Sequence, residues 1–270
     1  MKKALKITFL LPIIFLLFSC EDVIEIDLKE SEPRLVIDAS IQWIKGTQGN
    51  LQFIRLTTTA PYYQDEVPAV TNAEVQIRDE QGEVYVFYHT EDGYYQITDF
   101  KPVVGMQYQL SVVYNDQLYM ATERLAPVVD IDFVEQTSGG GFAGDEIEIK
   151  AYYTDPADEE NFYMFSFEEE RTIFEIYEDQ FNNGNQIFGY YSDEDIEPGD
   201  EIFIEMAGIS RAYYEYLFVL RAQIGTNSGG PFETKPATLK GNIVNQTNQE
   251  NYPLGYFRLS EVATTTYVVD

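Results

Sequence analysis

Ala73-Glu74-Val75-Gln76-Ile77-Arg78-Asp79, followed by Glu80-Gln81-Gly82-Glu83, is the stretch that decides the fold. Apolar side chains fall on every second residue with polar ones between, the period of a strand with one face buried and one in water. The glycine-containing tetrapeptide is a turn signal, and Val84 to His89 resumes the strand pattern beyond it. Upstream, Leu35 to Ile41 and Leu51 to Thr57 read the same way. Downstream come Tyr94 to Thr98, Met106 to Tyr114 and Gln117 to Glu123, the last two joined by Asn115-Asp116. Seven short strands between turn signals predict an antiparallel β-sandwich over residues 34–127.

A second, β-rich domain is expected over residues 128–270. Ala126-Pro127 and the glycine run after Ser138 punctuate the junction, with Val128 to Glu135 as a crossing strand. The glycines lack the helix with Lys and Ser or Thr that a phosphate loop needs, so they read as a turn. Asp145 to Tyr153, Phe162 to Phe167 and Phe203 to Met206 continue the β pattern. One helix is predicted over residues 211–224. Ser210 can cap it, Gly225 stops it, and Tyr213, Leu217, Leu220 and Ile224 share a face. Tyr214, Tyr216, Phe218 and Val219 widen that face, which predicts a buried helix covered by the sheets. The fold class is therefore mainly β with one buried α-helix.

The first twenty residues decide location. Lys2, Lys3 and Lys6 precede an apolar run from Ile7 to Phe18 that is shorter than the roughly 20 residues needed to span a bilayer, so residues 1–19 read as a secretory signal. Leu17-Phe18-Ser19-Cys20 resembles a bacterial lipobox, which implies a lipid on Cys20 and anchorage of the protein in the membrane. Residues 20–33 form an acidic tether, with Glu21, Asp22, Glu25 and Asp27 close to the cysteine. Loss of the three signal lysines lowers Lys+Arg from 17 to 14 against 46 Asp+Glu, a formal charge of −32 on the mature chain. Such a surface repels phosphate backbones, so no nucleic acid is expected as a partner.

Cys20 is the only cysteine and His89 the only histidine, which excludes disulfides and multi-histidine zinc sites. His89 lies in a strand-like run with no motif around it and reads as a strand-end residue. The loop Thr154 to Asn161 supplies oxygen ligands of the kind calcium takes, and Asp155, Asp158, Glu159 and Asn161 are the candidate metal residues; a plain polar turn is the alternative. Glu168-Glu169-Glu170 and Asp193-Glu194-Asp195 read as solvated charge. Among 40 aromatic residues, Trp43 at a strand end is the candidate ligand-binding residue. No motif gathers a nucleophile, a base and an oxyanion donor, so the chain is not expected to be an enzyme and no cofactor beyond calcium is expected.

The order Ala-x-Val-x-Ile-x-Asp-x-x-Gly at Ala73 to Gly82, then Gly105 to Leu110, resembles immunoglobulin-like or prealbumin-like modules of cell-surface proteins. The Tyr-rich helix, then Lys235-Pro236, Gly241-Asn242-Ile243 and Gly255-Tyr256-Phe257, resemble the Bacteroidota outer-membrane lipoproteins catalogued as domain of unknown function 4249. That resemblance implies a surface-exposed, outer-membrane lipoprotein partnered with a TonB-dependent β-barrel transporter and acting in ligand capture or uptake. A structural subunit of an envelope complex with no small ligand is the alternative. Gly241 and Gly255 themselves read as places where backbone passes close to another element.

Overall fold

The computed structural model describes residues 32–61, 64, 66–140, 144, 146–157, 159–179, 184–224 and 238–270. Cys20, the acidic residues that follow it and Asp158 lie outside the described residues. Seven strands occupy the front of the chain: β1 (Leu35–Ile44), β2 (Gln52–Thr58), β3 (Glu74–Asp79), β4 (Val84–His89), β5 (Tyr94–Ile97), β6 (Gln107–Tyr114) and β7 (Gln117–Arg124). Each falls within a few residues of its sequence expectation, because one face of each is buried and the other turned to solvent. The β6–β7 hairpin turns on Asn115 and Asp116, both in the left-handed region at φ 49 and 58. That is the two-residue turn whose twist matches flanking strands.

The rest of the chain adds β8 (Phe133–Gly140), β9 (Glu146–Thr154), β10 (Phe162–Glu168), β11 (Thr172–Glu178), β12 (Gln186–Asp193) and β13 (Glu201–Gly208). Helix α1 (Arg211–Ile224), β14 (Val244–Asn245) and β15 (Leu254–Val268) follow. Twelve strands form one sheet in the order β11-β10-β13-β15-β1-β2-β5-β4-β3-β6-β7-β14, and β12-β9-β8 form a second. Side chains from β1, β2 and β5 (Ile37, Leu56, Tyr95) and from β3, β6 and β7 (Ile77, Leu110, Tyr119) fill one core. The large sheet thus closes on itself as the two layers of a sandwich, with β4 at the corner. A second core lies between β9 and the β10-β13 part of the large sheet, built on Tyr153, Phe165, Phe167 and Ile204.

β15 ties these parts together. It runs parallel to β1 from Val36↔Leu254 to Ile44↔Val262 and antiparallel to β13 from Glu201↔Val268 to Ala207↔Val262. Phe257 and Leu259 enter the first core while Ala263 enters the second. Gly255 has φ +93, and a Cβ there would strike the Ile37 carbonyl; one on Gly241 would strike the carbonyl of Gly255. The close backbone passage expected at both glycines is present.

Three differences from expectation have physical causes. The crossing strand begins at Phe133 rather than Val128, because residues 126–128 are held by β15 instead: Ala126 N–H donates to Leu259 O and Val128 N–H to the Glu261 carboxylate. Asp193 is not solvated: its side chain is 8% exposed and pairs with Arg171. The helix has the expected bounds and Ser210 cap, Tyr213 N–H donating to Ser210 Oγ at 3.2 Å. Its burial, however, is corrected. Leu217 is buried against Phe162, Ala207 and Val262, while Phe218 is 61% and Val219 42% exposed, so the sheet covers one face only.

Candidate functional site

The site begins with a change of partner in β4. Residues Val84–Phe87 pair with β3, as in Val75↔Phe87 and Gln76↔Val86, but Tyr88 and His89 pair with β5. Continued register would set Tyr88 opposite Glu74. Instead β4 bends away toward β5, and a groove of about 320 Å³ opens between the start of β3 and the end of β4. That volume is at the lower end of the range for small-molecule sites, about 300–1,000 Å³.

The floor of the groove is rigid. Tyr95, 1% exposed, donates its hydroxyl proton to Val70 O at 3.1 Å and accepts from Ala73 N–H at 2.9 Å. Burial raises its pKa above the ordinary 10.0, so the hydroxyl stays a donor at neutral pH. The walls are outward-facing apolar side chains: Val86 is 40%, Val113 37% and Tyr88 70% exposed. The His89 ring stands edge-on to Tyr95, centroids 5.3 Å apart, as the last residue of β4.

Four polar side chains also line the groove: Glu74, Gln76, Ser111 and His89. The ladder places Glu74 beside Val113 and Gln76 between Ser111 and Val86. None of the four has a side-chain hydrogen bond or ion pair to another described residue. No lysine or arginine lines the groove.

A second aromatic surface lies on the outer face of the three-stranded sheet. Phe133, Tyr152 and Phe188 occupy one row across β8, β9 and β12. Phe133 stacks on Tyr152 at 4.5 Å and Tyr152 meets Phe188 at 5.1 Å. Polar neighbours on either side are engaged. Asp132 accepts from Thr154 Oγ1 at 2.8 Å and Gln186 Nε2 at 2.7 Å, while Glu148 accepts from Thr137 Oγ1 at 2.8 Å and pairs with Lys150 at 2.6 Å.

The residues proposed from sequence are dispersed. Trp43 is half-buried at the end of β1, packs on the first core, and donates its indole N–H to Thr47 O at 3.0 Å. Asp155 is 1% exposed and turned inward, accepting from Tyr163 Oη at 3.1 Å and from Gly184 N–H at 3.4 Å. Burial, the largest cause, raises its pKa, reinforced by the nearby charges of Asp179 and Glu159. Asn161 donates its backbone N–H to Asp179 at 3.1 Å and its side-chain amide to Glu159 O at 3.5 Å. Among the described residues, no three His, Cys, Asp or Glu side chains converge as a metal site would require. Sequence reasoning missed Glu74, Val86 and Tyr88. The available signal was β4 itself, where Val84, Val86 and Tyr88 make the solvent face as apolar as the core face.

The family profile described as "Domain of unknown function (DUF4249)" matches residues 21–266. No curated protein matches the chain. Among solved structures, a two fibronectin type-III domain segment from chicken tenascin is similar at 9% identity over 65% of this chain and 90% of that one, with TM-score 0.22. A cytokine receptor complex is similar at 9% identity over 87% of this chain and 95% of that one, with TM-score 0.24.

Proposed function

This chain belongs to the family described as Domain of unknown function (DUF4249), and from that premise we propose that it is a non-catalytic accessory lipoprotein. It is anchored in the outer membrane through a lipid on Cys20, faces the cell surface, and captures a ligand for a TonB-dependent β-barrel transporter. The observation that carries the ligand-capture part is the groove beside β4: concave, walled by exposed apolar side chains, and holding polar groups the fold leaves unused. The signal and lipobox support the anchor, and the acidic tether supports the outer face.

The partner is tested by recovering the tagged full-length lipoprotein from outer membranes. A β-barrel transporter is expected to come with it, and Cys20→Ala is expected to shift the protein to the soluble fraction. Repeated recovery of the lipoprotein alone overturns the partnership, and membrane retention of Cys20→Ala overturns the anchor. The row Phe133-Tyr152-Phe188 favours a second reading, a structural subunit docking an exposed apolar face on its complex. That subunit would also bring down a partner, but it would need no groove.

A further inference from the structure

We propose that the β4 groove selects a small ligand carrying an ammonium group on an apolar, ring-sized body. The inference deepens the ligand-capture reading and rests on it. The groove contains one formal charge, the Glu74 carboxylate, with no hydrogen-bond or ion-pair partner among the described residues and no cationic side chain lining the same space. In a chain with 46 acids against 17 bases, an anionic ligand meets repulsion from Glu74 and from the surrounding surface alike. An ammonium group meets the opposite: Glu74 accepts a charge-assisted hydrogen bond from it, and the negative face of the Tyr88 ring attracts it. Tyr88 is 70% exposed, so that face is open to the ligand.

The rest of the groove fits the body of such a molecule. Val113 adjoins Glu74 across the β3–β6 ladder and Val86 adjoins Gln76 across the β3–β4 ladder, so apolar wall and charge stand within one strand spacing. Gln76 and Ser111 are paired across the same face and supply neutral donors and acceptors for a hydroxyl or amide on the ligand. The Tyr95 hydroxyl is committed to Val70 and Ala73 and is not offered to a ligand. The floor is thus fixed before binding, which limits the ordering cost of capture.

The test uses three probes with one apolar body and different heads: phenethylamine, phenethyl alcohol and phenylacetate. They are titrated calorimetrically into the purified full-length lipoprotein. The amine is expected to bind about tenfold more tightly than the alcohol, as a charge-assisted bond would give, with phenylacetate weakest. Glu74→Gln keeps the shape of an exposed side chain and is expected to remove most of the difference between amine and alcohol, leaving only the part the Tyr88 ring supplies, with the melting temperature unchanged. Tyr88→Ala is expected to weaken both. Preference for phenylacetate, equal binding of all three, no binding of any, or an amine preference undiminished in Glu74→Gln overturns the inference. These titrations need no transporter. A protein that recovers a transporter but ignores amines fails only here, and one that binds amines but recovers no transporter fails only as a transporter accessory.

Discussion

The groove beside β4 and the aromatic row on the three-stranded sheet both expose rings to water, yet they treat their polar neighbours in opposite ways. Around the row, Asp132 is held by Thr154 and Gln186, and Glu148 by Thr137 and Lys150. Around the groove, the side chains of Glu74, Gln76, Ser111 and His89 make no hydrogen bond or ion pair to another described residue. A fold uses polar side chains to fix its own strands where it can, and cross-strand aromatic pairs stabilise a short sheet by about 0.2–1 kcal/mol each. The row has that structural signature. Polar groups left over around a concavity are instead available to something outside the chain.

The contrast presupposes that both regions hang on one frame, and Gly255→Ala tests this with the largest effect. The substitution places a Cβ against the Ile37 carbonyl at φ +93, in the strand that joins β1 to β13. A loss of about 3 kcal/mol or more is expected, because left-handed backbone strain and a steric wedge act together. In urea, amine binding at the groove and the near-ultraviolet signal of the aromatic row should disappear in a single earlier transition. Two separated transitions would show that β15 does not couple the regions.

A matched pair of alanine substitutions is the next test. Tyr152 stands between two rings at 4.5 and 5.1 Å, so Tyr152→Ala should cost about 1–2 kcal/mol in chemical denaturation. Tyr88 is 70% exposed and should cost less than about 0.5 kcal/mol when truncated, while weakening ligand binding. The reverse result, a stable Tyr152→Ala that loses binding, would move the ligand site to the three-stranded sheet.

The framework was easier to read in the sequence than the groove was. Alternation disclosed most of β1 to β7 because each buries one face, and the turns on either side marked out β4. β11 escaped because Ile173 and Tyr177 pack on the second core while Phe174 and Ile176 pack against the α1 side, so its apolar residues do not alternate. β15 escaped beyond its Gly255-Tyr256-Phe257 start for the same reason. Phe257 and Leu259 fill the first core while Tyr256 and Arg258 are buried beneath α1, the guanidinium 5.5 Å from the Tyr213 ring. The groove escaped because it arises from pairing: nothing in the residues of β4 states that its last two will leave β3 for β5. Trp43 drew attention by being the only tryptophan, and the fold uses it as packing with a capped N–H.

Asp155 and Glu74 restate the contrast in carboxylates, one used by the fold and one not, and the smallest effect tests it. Burial raises the Asp155 pKa in the folded state above the ordinary 3.8. Below 3.8 both states hold the proton and the group's stabilising contribution is complete; as pH rises through the folded value that contribution is lost. Acidifying from neutral into this window should therefore stabilise the native protein relative to Asp155→Asn, with a slope of at most about 1.4 kcal/mol per pH unit. Other carboxylates titrate there too, Glu123 and Glu205 with pKa values also raised by burial, so the difference between the two proteins is the readout. Because Asp155 is engaged by Tyr163 and Gly184, that difference should be the same in calcium and in chelator. Glu74→Gln, measured alongside at neutral pH, should unfold at the same denaturant concentration as the native protein. A difference that appears only with calcium would return Asp155 to the role of cation ligand, and a Glu74→Gln protein less stable than the native one would mean the fold uses that carboxylate after all.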